Sequence, residues 1–230
     1  MKSKRTQSVQ SMLTQHKVDK QATNDKSETH TNTRIGNKDA KIHGGSYAIP
    51  DSEYPEFMNK VKMATTAGQY EYLTEKQLPE GTLAIDMDLH YDYEVEDRQH
   101  GKEHIDDLID VIFSTLNDMY VFNAEQNIIA YVMQKPDVNR VKEKNITKDG
   151  VHLLVNIKMD RHAMKYLREQ LMAKIPEIWD IPIINTWGGV FDEGVMKGTT
   201  NWQLYGSRKP HHGRYSVSYI YDIGYDETDN

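Results

Sequence analysis

The sequence predicts an α+β fold, a sheet with helices packed on one side. Three observations predict it. Leu83, Ala84, Ile85, Met87 and Leu89 make an almost continuous apolar run, the pattern of a buried strand. Ile105, Leu108, Ile109, Ile112, Phe113 and Leu116 recur at i, i+3, i+4 spacing, the pattern of a strongly amphipathic helix. Residues 151–157 form a second strong apolar run of strand type. Strands alternating with good helices pack those helices against a sheet.

Residues 1–45 are rich in Lys, Gln, Ser, Thr and Asn and almost devoid of large apolar side chains. Such a segment buries too little surface to offset its conformational entropy. It is expected to be a disordered, weakly basic tail ahead of one folded domain over residues 46–230. Order should begin near residues 47–50, with a short helix over 54–67. Pro79-Glu80-Gly81 marks a turn before the strand that carries Asp86. The amphipathic helix covers 102–120, and 128–133 reads as a strand. Residues 135–148 read as a polar, basic loop. The strand over 151–157 carries His152 near its start. Asp160 is placed to cap a helix with Met164, Leu167, Leu171 and Ile175 on its apolar face. Residues 176–189 read as irregular, and 202–205 and 215–223 as closing strands.

Composition narrows the function classes. The length allows one domain of ordinary size, or one domain plus a tail. There is no cysteine, which removes disulfides, thiolate nucleophiles and Cys-based zinc sites. The longest apolar runs are far too short to span a bilayer, and no signal-peptide pattern opens the chain. The expectation is an intracellular protein that is neither secreted nor in a membrane. The net charge of −7 argues against nucleic-acid binding until its distribution is read. Residues 1–47 carry nine Lys/Arg against four Asp/Glu, while 86–110 carry ten acidic residues against Arg98 and Lys102. Basic residues gather at Lys135, Arg140, Lys142, Lys144 and Lys148, and again from Lys197 to Arg214. Local fields, not the total, decide where a phosphate goes.

Asp86 and Asp88 are the first chemical signal. Positions i and i+2 of a strand face the same way, with Cα atoms roughly 6–7 Å apart. Two like charges side by side are costly unless a cation neutralises them. Hard divalent ions take oxygen ligands and usually arrive with phosphates. The second signal is Lys148-Asp-Gly150-Val-His152-Leu: a cation, a residue that lets backbone approach an anion, and an imidazole at a strand start. The third is Asp192, with Glu193 as its neighbouring competitor. Ten residues later comes Trp202-Gln-Leu-Tyr205-Gly206-Ser207-Arg208-Lys209-Pro210. Its Gly-Ser-Arg-Lys offers flexible backbone, a hydroxyl and two cations, which suits a triphosphate.

Each motif alone is common; their order is specific. Hydrophobic-Asp-x-Asp, then Lys-Asp-Gly-Val-His-Leu, then an Asp followed by Tyr-Gly-Ser-Arg-Lys-Pro resembles the archaeo-eukaryotic primase superfamily. The likeness is to the primase half of the primase–helicases of poxviruses and other large nucleocytoplasmic DNA viruses, and it covers roughly residues 75–223. The resemblance implies a small sheet of RNA-recognition-motif-like topology plus an N-terminal αβ unit. It implies Asp86, Asp88 and Asp192 as ligands of Mg²⁺ or Mn²⁺, and these three with His152 as the catalytic set. It implies Lys148, His152, Ser207, Arg208 and Lys209 as nucleotide contacts. It further implies a single-stranded DNA template, NTPs or dNTPs as substrates, a helicase domain or subunit as partner, and a site of action in the host cytoplasm or at viral replication sites. Where relatives carry Arg two residues after the second Asp, this chain has His90. Two other classes fit parts of the pattern: a non-catalytic single-stranded nucleic-acid-binding module of a replication complex, and another metal–nucleotide transferase using Asp-x-Asp. Three carboxylates argue against the first, since a pure phosphate binder sheds negative charge from its binding face.

Overall fold

Two antiparallel sheets, each with its own apolar core, organise the computed structural model, which describes residues 8–18, 30–123 and 126–224. In chain order the elements begin with α1 (Val9–Gln15), β1 (Lys17–Val18), β2 (Asn32–Arg34), β3 (Gly45–Tyr47), α2 (Tyr54–Thr66) and β4 (Leu73–Glu75). Then come β5 (Glu80–Asp92), α3 (Lys102–Met119), β6 (Ile128–Gln134), β7 (Asn139–Val141), β8 (Ile146–Asp160) and α4 (Arg161–Ile178). The last are α5 (Trp187–Val190), α6 (Glu193–Lys197), β9 (Trp202–Gln203) and β10 (Ser216–Ile223). The fold is α+β, as the sequence predicts. Its contacts fall into two compact units. Met1–Lys76 with Asn201–Arg214 make the first, and Gln77–Thr200 with Tyr215–Asn230 the second. No linker composition marks the division, because the chain leaves the first unit and later returns to it.

In the first unit the sheet order is β1-β3-β2-β4-β9. The reading of residues 1–45 as a disordered tail is corrected for the residues described. Val9, Met12 and Leu13 fall at helical spacing, and all three are buried in one core with Phe57, Val61 and Leu73. Ser8 caps the helix, its hydroxyl accepting from the Ser11 N–H at 3.1 Å. The strands were hidden by polar composition. Asn32 and Arg34 are buried on β2, and the Arg34 guanidinium meets the Glu71 carboxylate at 2.7 Å with both side chains shielded. Residues 1–7 and 19–29 of the expected tail lie outside the described residues.

In the second unit four antiparallel strands run in the order β10-β6-β8-β5, with β7 paired to β8. The order along the chain is strand, helix, two strands, helix, strand. Alternate residues of β5 (Ile85, Met87, Leu89, Tyr91) join Val151, Leu153 and Val155 of β8 under α3 and α4, and all are fully buried. The expected loop over 135–148 contains β7 and a 3₁₀ turn at Lys142–Lys144, and β8 begins already at Ile146. Asp160 caps α4 as predicted, accepting from the N–H groups of His162 and Ala163 at 2.8 and 2.9 Å. That helix runs through Pro176 to Ile178. Pro176 offers no N–H to the carbonyl four residues back, so it interrupts the hydrogen-bond ladder only in the helix's last turn. The segments over 202–205 and 215–223 do form strands, but β9 joins the first unit's sheet and β10 the second's. Among the described residues, no helix is long and apolar enough to cross a membrane.

Leu13 is fully buried in the first unit's core. Leu13→Ala is therefore expected to lower unfolding free energy by about 2–5 kcal/mol, the cost of an emptied core site. Urea denaturation measures it; an unchanged midpoint would return the segment to a tail.

Candidate active site

The pairing of β5 with β8 sets the site. Asp86 lies opposite His152, Asp88 opposite Gly150 and His90 opposite Lys148. Because the neighbours of these residues on β5 face the core, Asp86, Asp88 and His90 emerge together on the other face. His152 Nε2 is 3.3 Å from Asp86 Oδ1. Asp88 Oδ2 accepts from Lys148 Nζ at 2.6 Å and is 3.0 Å from His90 Nε2. The imidazole of His152 is almost fully buried, the Asp86 carboxylate is partly open and the Asp88 carboxylate half-open. The sequence expectation that Lys148 and His152 stand beside the carboxylate pair holds geometrically. His90 takes a place on Asp88 that no motif pointed to.

Asp192 reaches β5 through its backbone. Its N–H donates to the Asp86 carbonyl at 2.9 Å, one residue after a bridge between Phe191 and Met87. Its carboxylate caps the short α6, accepting from the Gly194 N–H at 2.7 Å. Glu193 instead ion-pairs with Lys197 at 2.6 Å, and that hydrogen bond holds its carboxyl below the usual range. Two residues outside every motif fix this arrangement. The Arg168 guanidinium on α4 is buried and donates to the carbonyls of Phe191 and Gly188 at 2.9 and 2.8 Å. The Asn185 amide donates to the Asp88 carbonyl at 2.8 Å and accepts from the His90 N–H at 3.0 Å. Neither carries a sequence signal, since both act on backbone.

Beneath Gly150 lies a third group missed in the sequence. Asp149 points to the core side and is 3 % exposed. Arg98 donates to both its oxygens, at 2.8 and 3.0 Å, and the Gly150 N–H adds a bond at 2.9 Å. Arg98 also donates to the Lys135 carbonyl at 2.8 Å, joining β8 to the end of β6. His100 stands 3.5 Å from Asp149, with its Nε2 2.7 Å from the Gln134 amide nitrogen. Burial drives the His100 pKa down to about 4 against the opposing pull of Asp149, so the ring is neutral at neutral pH.

Ser207, Arg208 and Lys209 belong to the first unit. Ser207 is buried; its hydroxyl accepts from the Leu73 N–H at 2.6 Å and donates to the Glu71 carbonyl. That hydroxyl is committed to backbone and braces the turn from within. Arg208 lies flat on the exposed Tyr70 ring, 3.4 Å from its centroid, and Lys209 is exposed.

The family model of the C962R protein N-terminal AEP domain matches residues 37–221. The chain belongs to that family. AEP denotes archaeo-eukaryotic primase, and C962R is a primase–helicase of poxvirus type. Membership supports a primase or nucleotidyltransferase-type role in viral DNA replication. No curated protein matches the chain. AEP domains are generally metal-dependent. In this AEP domain, no group of three or more His, Asp or Glu side chains among the described residues is gathered to hold a metal ion. What Asp86 and Asp88 do offer is two carboxylates on one accessible face. That fits Mg²⁺ or Mn²⁺, which commonly take one or two protein carboxylates and complete their shell with water and substrate phosphates.

The neutral His100 makes stability pH-dependent with a defined sign. Its folded pKa lies below the unfolded value of 6.5, so its contribution is intact above pH 6.5 and is lost as pH falls toward 4. The loss approaches about 3 kcal/mol. His100→Gln should flatten the fall of unfolding free energy between pH 6.5 and 4; equal slopes for wild type and variant would contradict the buried neutral ring.

Proposed function

We propose that the chain is a template-dependent nucleotidyltransferase that makes primers on single-stranded DNA from NTPs or dNTPs and releases pyrophosphate. One observation carries this reading: Asp86 and Asp88 share an open sheet face, with His152 against the first and Lys148 against the second. Asp86 and Asp88 would hold Mg²⁺ or Mn²⁺, and Asp192 would join them as third ligand by turning its carboxylate from the Gly194 N–H. When bound, two such ions supply Lewis acidity to a primer 3′-hydroxyl and to the departing pyrophosphate. The chain's own residues do the rest. His152 and Lys148 present donors to the phosphates on the side of the carboxylates. Arg168 and Asn185 keep the Asp192 loop and the β5 backbone fixed, so positioning needs no reorganisation during reaction. Arg208 and Lys209 of the first unit are phosphate-binding residues in this reading, and Ser207 holds their turn. A helicase is the working partner, as in the primase–helicases of the family.

Incubation with single-stranded DNA, Mg²⁺ or Mn²⁺ and labelled NTPs or dNTPs should yield oligomers. Asp88→Ala is expected to remove transfer by at least roughly a hundredfold, with little change in melting temperature because the carboxylate is half-open. Wild-type rates in the Asp86→Ala/Asp88→Ala double variant would sink the reading.

Lys209→Ala should raise KM for the nucleotide roughly ten- to a hundredfold, the loss of one charge-assisted contact. Affinity for single-stranded DNA should hold. The reverse pattern, weaker DNA binding at unchanged KM, would assign the turn to the template.

A further inference from the structure

The chain re-enters the second unit at Tyr215, and this residue stands on the face that carries Asp86 and His152. Its ring stacks on the His152 imidazole, with centroids 3.5 Å apart and planes 18° from parallel. Its hydroxyl fills the space above Gly150, where a Cβ would collide with it. Gly150 is not among the glycines with positive φ, so its small size, not its backbone freedom, is what the position uses. The Lys135 ammonium lies 4.8 Å from the centre of the same phenol ring. Gln134 pairs with Val151, so the next residue of the chain, Lys135, comes to the level of Gly150.

We propose that Tyr215 is a positioning residue: its ring sets the orientation of the His152 imidazole and draws the Lys135 ammonium to the same place, which adds Lys135 to the contacts of the nucleotide triphosphate. The terminal torsion of a histidine is broad, so an imidazole beside open space would swing; a flat ring packed on it selects one orientation. A cation over an aromatic face is held there by the ring's quadrupole. Burial, reinforced by Asp86 and Asp88, pushes the Tyr215 phenol far above its ordinary pKa, so the ring adds no charge to this face. The inference rests on the nucleotidyltransferase reading for what the positioned groups do.

The test uses five variants of the full chain: Tyr215→Leu, Tyr215→Phe, Gly150→Ala, the double variant Gly150→Ala/Tyr215→Phe, and Lys135→Ala. Nucleotide KM, kcat and the Kd for single-stranded DNA are measured for each. The His152 ring proton shifts are recorded by NMR at one fixed pH. Tyr215→Leu should lower kcat/KM roughly ten- to a hundredfold, the scale of a small misplacement at a reacting centre, with DNA affinity retained. Tyr215→Phe, which keeps the ring, should restore most of that loss. Gly150→Ala should be damaging alone and relieved in the Phe background, where the colliding oxygen is gone. A double variant no better than Gly150→Ala, or Tyr215→Leu at wild-type kcat/KM, overturns the proposal. Lys135→Ala should raise nucleotide KM, and an unchanged KM removes Lys135 from the phosphate set. If the wild-type chain makes no product, the nucleotidyltransferase reading falls and the NMR arm decides alone. A ring-current shift lost in Leu and kept in Phe upholds the stack; identical His152 shifts in wild type and Tyr215→Leu overturn it.

Discussion

The register between β5 and β8 is the constraint on which the site depends. The two strands pair from Glu80 opposite Asp160 to Asp92 opposite Ile146, with one irregularity between Thr82 and Leu83. Side chains alternate along a strand, so a slip of one residue exchanges its two faces. Here such a slip would expose Ile85, Met87, Leu89 and Tyr91, all fully buried, and push Asp86 and Asp88 into the core. Each large apolar side chain contributes about 1.5–3 kcal/mol on burial, and a domain is stable by only about 5–15 kcal/mol in all. Four such losses, together with two carboxylates taken out of water, exceed the whole margin. The apolar face of β5 therefore fixes where the carboxylates stand as firmly as it fixes the core. Asp86 and Asp88 are thereby kept on the face that carries His152 and Gly150, which lie opposite them.

That register leaves β5 at the edge of its sheet, with a row of backbone groups to satisfy. Residues 184–192 close it without forming a strand. The Ile184 N–H donates to the His90 carbonyl at 2.8 Å, the Asn185 amide takes both the His90 N–H and the Asp88 carbonyl, and the Asp192 N–H takes the Asp86 carbonyl. The same contacts that seal the edge hold the backbone at Asp86, Asp88 and His90, and one of them delivers Asp192. Arg168 ties the segment to α4, and Asp149 with Arg98 ties β8 to the end of β6 from the core side. Removing one partner of the Asp149–Arg98 pair would leave a buried charge uncompensated, at about 3–5 kcal/mol.

Much of the second unit was legible because its signals are periodic and local. The alternation of β5, the helical spacing in α3 and the Asp160 cap need only neighbouring residues to be read. The carboxylate pair, Lys148 and His152 were legible for the same reason, each lying in a short run with its chemistry on display. The first unit's N-terminal part was not, since Val9, Met12 and Leu13 are too few to lift a polar average, and β2 buries Asn32 and Arg34 behind pairings made with residues far along the chain. Asn185 and Arg168 act on backbone carbonyls, which no side-chain motif records. Ser207 shows the opposite error: a hydroxyl among cations reads as a phosphate donor, yet long-range bonds to Leu73 and Glu71 occupy it. Gly150 was read for backbone access, whereas its neighbour in space, Tyr215, lies 65 residues on and could not be seen from the motif.

The fold also resolves how an acidic chain presents a face for phosphate. Ten acidic residues crowd positions 86–110, but the sheet sorts them. Asp86 and Asp88 stand on the working face of β5, with Asp92 at the strand's end on the same side, and Asp86 and Asp88 each have a basic or imidazole side chain within 3.3 Å. Asp106 and Asp110 ride on α3, which packs against the opposite face. There Asp106 is met by Lys102 at 2.7 Å and by the Tyr221 hydroxyl, and Glu96 by Arg140. Packed layers lie roughly 10 Å apart, and exposed charges beyond about 8 Å are largely screened at physiological salt. The acid carried by α3 is thus held behind the sheet. In front, Lys148 is paired with Asp88 at 2.6 Å and Lys135 lies over the Tyr215 ring that stacks on His152, so the local balance there is set by two lysines the total charge conceals.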